Sequence, residues 1–138
     1  MKKLMIGGTA LVKLGSSRQT DDIYYLINDT DSDEMFIHDK ENNIDYVNAN
    51  GHDFYGEIWE MESDNIGEIA SPKALLELKA FAFVQHCKHG FWDKANDAEF
   101  DIKYLVGKYN LTDMPILRRY ITDGELKEVK KVISSVRK

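Results

Sequence analysis

Three groups of residues in this 138-residue chain have types and spacings suited to chemistry. Gly7-Gly8-Thr9 closes the apolar run Leu4-Met5-Ile6 and opens a helix-like segment. Two glycines leave the backbone open to an anion, and free N–H groups at a helix start favour one. Thr9 adds a hydroxyl. Asp22 and Asp45 each sit in an apolar, strand-like run. Carboxylates on neighbouring strands hold Mg²⁺ or Mn²⁺, which in turn carries nucleotide phosphates. Lys79, in a helical segment, offers a point charge to a triphosphate. Each residue also has a plainer use. The glycines can make a tight turn, Asp22 can cap a strand, Asp45 can be a solvated hairpin residue and Lys79 a solvated lysine.

Asp22 and Tyr24 share a strand face, because side chains alternate with period two. Two-cation phosphoryl transfer sets its ions about 3.5–4 Å apart and needs carboxylates to bridge them. Tyr24 supplies only a phenol, with an ordinary pKa near ~10. Asp22 and Asp45 therefore support one weakly held cation. Asp39 and Glu57 are the nearby acids that would complete a fuller set.

The elements that position these groups follow from periodicity and turn chemistry. Leu4–Ile6 reads as a strand end and 9–14 as a short helix closed by Gly15. The stretches 22–27, 35–38 and 44–48 read as strands, the last two joined in a hairpin by Asp39-Lys40-Glu41-Asn42-Asn43. Asn50-Gly51 marks a turn. Residues 52–62 fit a helix through Phe54, Ile58 and Met61, and a strand through Tyr55 and Trp59. Ser71-Pro72 starts a helix, with Ser71 as N-cap and Pro72 at the first helical position. That helix runs to Lys88, with Leu75, Leu78, Ala82 and Phe81 or Phe83 on its apolar face, and His89-Gly90 ends it. A second helix covers 95–108, with Phe100, Tyr104 and Leu105 inward. Pro115 opens a short helix holding Leu117 and Tyr120. The last helix opens at Thr122-Asp123-Gly124-Glu125 and buries Leu126, Val129, Val132, Ile133 and Val136. Strands first and helices after predict an α+β fold: a small mixed sheet, then a helical C-terminal half. The expectation is one domain over 1–138, with the candidate site in a sheet-rich part, 1–70, and helices over 71–138.

No apolar run is long enough to span a membrane, and the apolar stretch at the N-terminus is too short for a signal peptide. The single cysteine, Cys87, excludes an intramolecular disulfide. These features predict a cytoplasmic protein with a reduced thiol. The formal net charge of −6 hides an asymmetry. Residues 21–68 hold fifteen acids and one base, whereas 108–138 hold eight bases and four acids. The acidic half disfavours nucleic acid at the candidate site unless a metal offsets it. His86, Cys87 and His89 have no second ligand cluster to complete a zinc site. There is no P-loop, Rossmann fingerprint, zinc-hydrolase motif or nucleophile elbow.

The chain resembles the nucleotidyltransferase superfamily, the polymerase-β-like fold, and within it the small bacterial branch of AbiEii-type toxins. Gly7-Gly8-Thr9-Ala10-Leu11 resembles that family's glycine element. Thirteen residues then separate Gly8 from Asp22, with Arg18 and Thr20 as the polar lead-in. Asp45, in Ile44-Asp45-Tyr46-Val47, looks like the family's third acid. Residues 71–79 resemble the segment with its helical lysine, here Lys79, and 94–105 its following Lys/Asp-rich helix. The resemblance implies Asp22 and Asp45 as catalytic and metal-ligating residues. It implies Gly7, Gly8, Thr9 and Lys79 as the nucleotide-binding set, with Mg²⁺ or Mn²⁺ as cofactor. The partner is a nucleoside triphosphate, and the nucleotidyl acceptor an RNA, a protein or a small molecule, in a toxin–antitoxin or phage-defence setting. The family's acid-apolar-acid triplet reads Asp22-Ile23-Tyr24 here, so its second acid is missing. The alternative is a catalytically degenerate member that serves as a binding or regulatory module.

Overall fold

The computed structural model describes residues 1–136. The chain forms two compact units, Met1–Ala74 and a second from Leu75 onward. The first contains a four-stranded sheet in the order β1-β2-β4-β3, built from β1 (Leu4–Ile6), β2 (Ile23–Ile27), β3 (Phe36–Asp39) and β4 (Ile44–Asn48). β1 runs antiparallel to β2, β2 parallel to β4, and β3 antiparallel to β4. Helix α1 (Gly7–Lys13) follows β1 directly, and α2 (Asp53–Met61) follows a 3-10 turn at Ala49–Gly51. The expected α+β order is therefore present, with strands first.

The register explains which face is core. Leu4 pairs with Leu26, and Leu26 with Val47, so these three side chains share one face. All three are buried, together with Ile6, and with Ala10 and Leu11 of α1 and Phe54 and Ile58 of α2. Helix α1 packs against β1 and β2, and α2 against β2. On its outer side β1 is met by the segment Gly67–Ala70. Met5 N donates to Glu68 O at 2.9 Å, and Ala70 N to Met5 O at 3.0 Å.

The stretch 52–62, open to either reading from sequence, is helical. His52 caps it by accepting from Phe54 N at 3.0 Å, and the buried Phe54, Tyr55 and Ile58 recur at helical spacing. Buried Glu62 then accepts from Ser71 N and, at 2.9 Å, from Ser71 Oγ. Ser71 Oγ in turn accepts from Ala74 N at 3.2 Å, the N-cap expected at the start of α3 (Pro72–Lys88).

The second unit is helical. It holds α3 from Leu75, α4 (Trp92–Tyr109), a 3-10 turn at Leu117–Arg119 and α5 (Asp123–Val136). In place of one apolar stripe, α3 is buried on most sides, with Leu75, Leu76, Leu78, Ala80, Phe81, Phe83 and Val84 all buried. The buried carboxylate of Glu77 accepts from Ile116 N at 3.0 Å and Leu117 N at 2.7 Å, capping the 3-10 turn. At the head of α5, Thr122 Oγ1 accepts from Glu125 N at 3.1 Å and Glu125 Oε1 from Thr122 N at 2.8 Å, a reciprocal cap.

One inward assignment is corrected. Phe100 is 47% exposed. The buried side of α4 is made by Ala95, Ala98, Ile102, Leu105 and Val106, with Asp101. Small alanines let the helix pack closely, and Phe100 falls on the opposite side.

Candidate functional site

The candidate site lies in the first unit, where β1 hands over to α1. Gly7 takes φ +78°, a left-handed conformation that favours glycine. A Cβ at Gly7 would also stand 3.1 Å from Tyr24 Cδ2, so the Tyr24 ring lies directly against the glycine. At Gly8 a Cβ would stand 2.6 Å from Arg18 Nη1 and 2.9 Å from Thr20 Cγ2. The absence of side chains thus makes room for a tyrosine ring at Gly7 and a guanidinium at Gly8.

Asp22 is exposed and sits immediately before β2 rather than inside it. Its backbone is held on both sides. Its carbonyl accepts from Thr9 Oγ1, and its N–H donates to Thr20 Oγ1 at 3.2 Å. The Thr9 hydroxyl, expected to face a phosphate, here ties α1 to the start of β2. Asp45 lies on β4. It is the register partner of Tyr24 on one side and of His38 on the other. Ile6, Tyr24, Asp45 and His38 therefore form one row across all four strands on one face. His38 Nδ1 and Asp45 Oδ1 are 2.7 Å apart.

Electrostatics follow from that row. Burial pushes the Tyr24 phenol above its ordinary value, and the negative charges of Asp45 and then Asp22 push it further, against Arg18. Tyr24 is neutral at physiological pH and adds no charged oxygen to the row. Asp39 does not join the row. It pairs with Ile44, one residue out of step with the His38–Asp45 pair, and so belongs to the opposite face. Its carboxylate accepts from Asn42 N at 3.2 Å and Asn42 Nδ2 at 2.8 Å. Glu57 lies on α2. Among the described residues no group of three or more His, Cys, Asp or Glu side chains is arranged to hold a metal ion. The donors present do not fit a two-cation centre.

Lys79 belongs to α3 in the second unit, where its ammonium stands 2.9 Å from the buried carboxylate of Asp101 on α4. Two residues of the first-unit site were not singled out by sequence. Arg18, a polar lead-in in the sequence, supplies the guanidinium over Gly8. His38 was legible in the hairpin: with Asp39 opposite Ile44, residue 38 must stand opposite Asp45.

No protein-family model, curated protein or solved structure matches this chain.

Proposed function

We propose that this chain is a nucleotide-binding protein with a nucleotidyltransferase-like site at the Gly7–Gly8 end of its sheet. The ligand is a nucleoside triphosphate carrying a single Mg²⁺ or Mn²⁺. The observation that supports this reading is that Gly7 lies against Tyr24 and Gly8 against the Arg18 guanidinium, while Asp45 on β4 and Asp22, just before β2, both bear on the Tyr24 phenol. Gly8 and Arg18 would meet phosphate oxygens, since Arg forms paired hydrogen bonds to phosphate. Asp22 and Asp45 would meet the one cation, because Mg²⁺ is commonly held by one or two carboxylates plus the phosphates it accompanies. Thr9 fixes the Asp22 backbone. In an active protein, an acceptor hydroxyl of an RNA, a protein or a small molecule would attack the α-phosphate, with release of pyrophosphate.

A second reading is a degenerate module that binds nucleotide without transferring it. Tyr24 is the observation that favours it, together with the His38 contact to one oxygen of Asp45.

The test is equilibrium binding of each of the four ribonucleoside triphosphates with Mg²⁺ or Mn²⁺, for wild type, Arg18→Ala and Asp45→Asn. Binding that weakens about tenfold or more in both variants supports the site. Wild type that binds none of the four rejects it. Incorporation of an α-labelled nucleotide into acceptor separates the active from the degenerate reading.

A further inference from the structure

We propose that the outward face of α4 is a self-association surface on which a second copy of this chain docks antiparallel. The face is centred on Phe100, which stands at the middle of Trp92–Tyr109 and is 47% exposed. A large aromatic at the crown of a helix, opposite a stripe of buried alanines, leaves about half its surface to solvent.

The charges around Phe100 say what covers it. With 3.6 residues per turn, Asp93, Asp97, Tyr104 and Lys108 fall along one flank of the phenylalanine. The two acids lie towards the N-terminal end of the helix; Lys108 lies towards the C-terminal end, its ammonium donating to Tyr104 Oη at 3.1 Å. Asp93, Asp97 and Lys108 are exposed. A two-fold axis beside Phe100 stacks the two phenylalanine rings. It also lays the acidic half of each helix along the Tyr104–Lys108 half of the other, so each contact occurs twice. A parallel pairing would set acid against acid and base against base. Exposed pairs of this kind orient a partner more than they hold it. One helix face is also small beside the interface of an obligate dimer. The expected state is a reversible dimer with Kd of roughly 1–100 μM.

The test is sedimentation velocity of the full chain over a concentration series, with folding of every variant checked by circular dichroism. Wild type should shift from monomer to dimer, and Phe100→Asp should stay monomeric. Asp93→Lys alone, or Lys108→Glu alone, should each weaken the dimer by about tenfold, since each creates two like-charge contacts. The double variant Asp93→Lys/Lys108→Glu should recover it to within about threefold of wild type, and a mixture of the two single variants should form a heterodimer. Wild type that remains monomeric to about 0.1 mM overturns the proposal and leaves the face to a different partner. A dimer that survives Phe100→Asp, or single-variant losses that the double variant does not recover, also overturns it.

Discussion

Tyr24 on β2 and Asp45 on β4 are direct partners in a parallel strand pair, and the Tyr24 ring lies against the bare backbone of Gly7. A neutral aromatic therefore stands between Ile6 and Asp45 in a row across the sheet, with Gly7 against its ring. Replacing the phenol with a carboxylate changes both the charge and the packing of the site.

Tyr24→Asp adds an anionic oxygen on the face that carries Asp45, two residues from Asp22. Divalent-cation affinity, read by calorimetry with Mn²⁺, is expected to rise, and labelled-nucleotide incorporation to rise with it if the missing acid is what limits transfer. The lost ring costs stability, about 2 kcal/mol for a half-buried aromatic, so the melting temperature is measured first. A folded variant with wild-type metal affinity and incorporation would show that the second acid is not what the site lacks.

Gly7→Ala and Gly67→Ala form a matched pair. Both glycines have positive φ, +78° and +97°. A Cβ at Gly67 meets nothing within 4 Å, whereas one at Gly7 meets the Tyr24 ring at 3.1 Å. Gly67→Ala should show backbone strain alone, about 1 kcal/mol, and Gly7→Ala that strain plus displacement of Tyr24, roughly 2–3 kcal/mol. Urea unfolding of the two variants checks the order; equal losses would mean that the ring yields freely.

Glu77→Ala leaves the Ile116 and Leu117 N–H groups without their acceptor and is expected to cost about 2–4 kcal/mol by denaturant unfolding. Glu77→Gln keeps an acceptor oxygen and should cost clearly less. Burial raises the Glu77 carboxyl above its ordinary value, against the two backbone donors. The native state thus holds this proton to higher pH than the unfolded chain does. Its stabilising contribution is full below the unfolded value of 4.5 and is lost as pH rises through the native one. Glu77→Gln should therefore flatten the pH dependence of stability just above that value.

Burial also raises the phenol of Tyr55 on α2 far above its ordinary value. The unfolded chain releases this proton first, so the contribution is full below about pH 10 and declines as pH rises beyond it. Melting temperature followed from about pH 8 to pH 11 should fall less steeply in Tyr55→Phe than in wild type. Parallel curves would show that another group governs the alkaline limb.

Much of the first unit was legible because its signals are local. The hydrophobic runs at 4–6, 23–27 and 44–48 are strands, and the Asp/Asn-rich turn at 39–43 closes a hairpin. The helix start at Ser71-Pro72 follows from cap chemistry alone. Partners distant in sequence were harder to read. Asp39 is a nearby acid in sequence, yet the register sets it on the face opposite Asp45, and nothing local to Arg18 announces that it lies over Gly8. The sequence places Phe100 inward, whereas Ala95 and Ala98 make the close contact and Phe100 stays half exposed. The buried carboxylate of Glu77 caps a turn some forty positions later, and no local pattern announces that pairing.

Met5 on β1 is bridged to Ile69, so the first strand gains its outer neighbour only from a segment more than sixty residues downstream. During synthesis β1 emerges before its outer neighbour and keeps an open hydrogen-bonding edge until Gly67–Ala70 follows. Contacts of such long sequence separation slow folding, and an uncovered edge invites pairing with other chains. The Gly7–Gly8 turn hangs from that strand. A chain that stops short of Glu68 would thus lack both a closed sheet edge and a fixed anchor for the glycines, and the Gly7–Gly8 turn matures among the last features of the first unit.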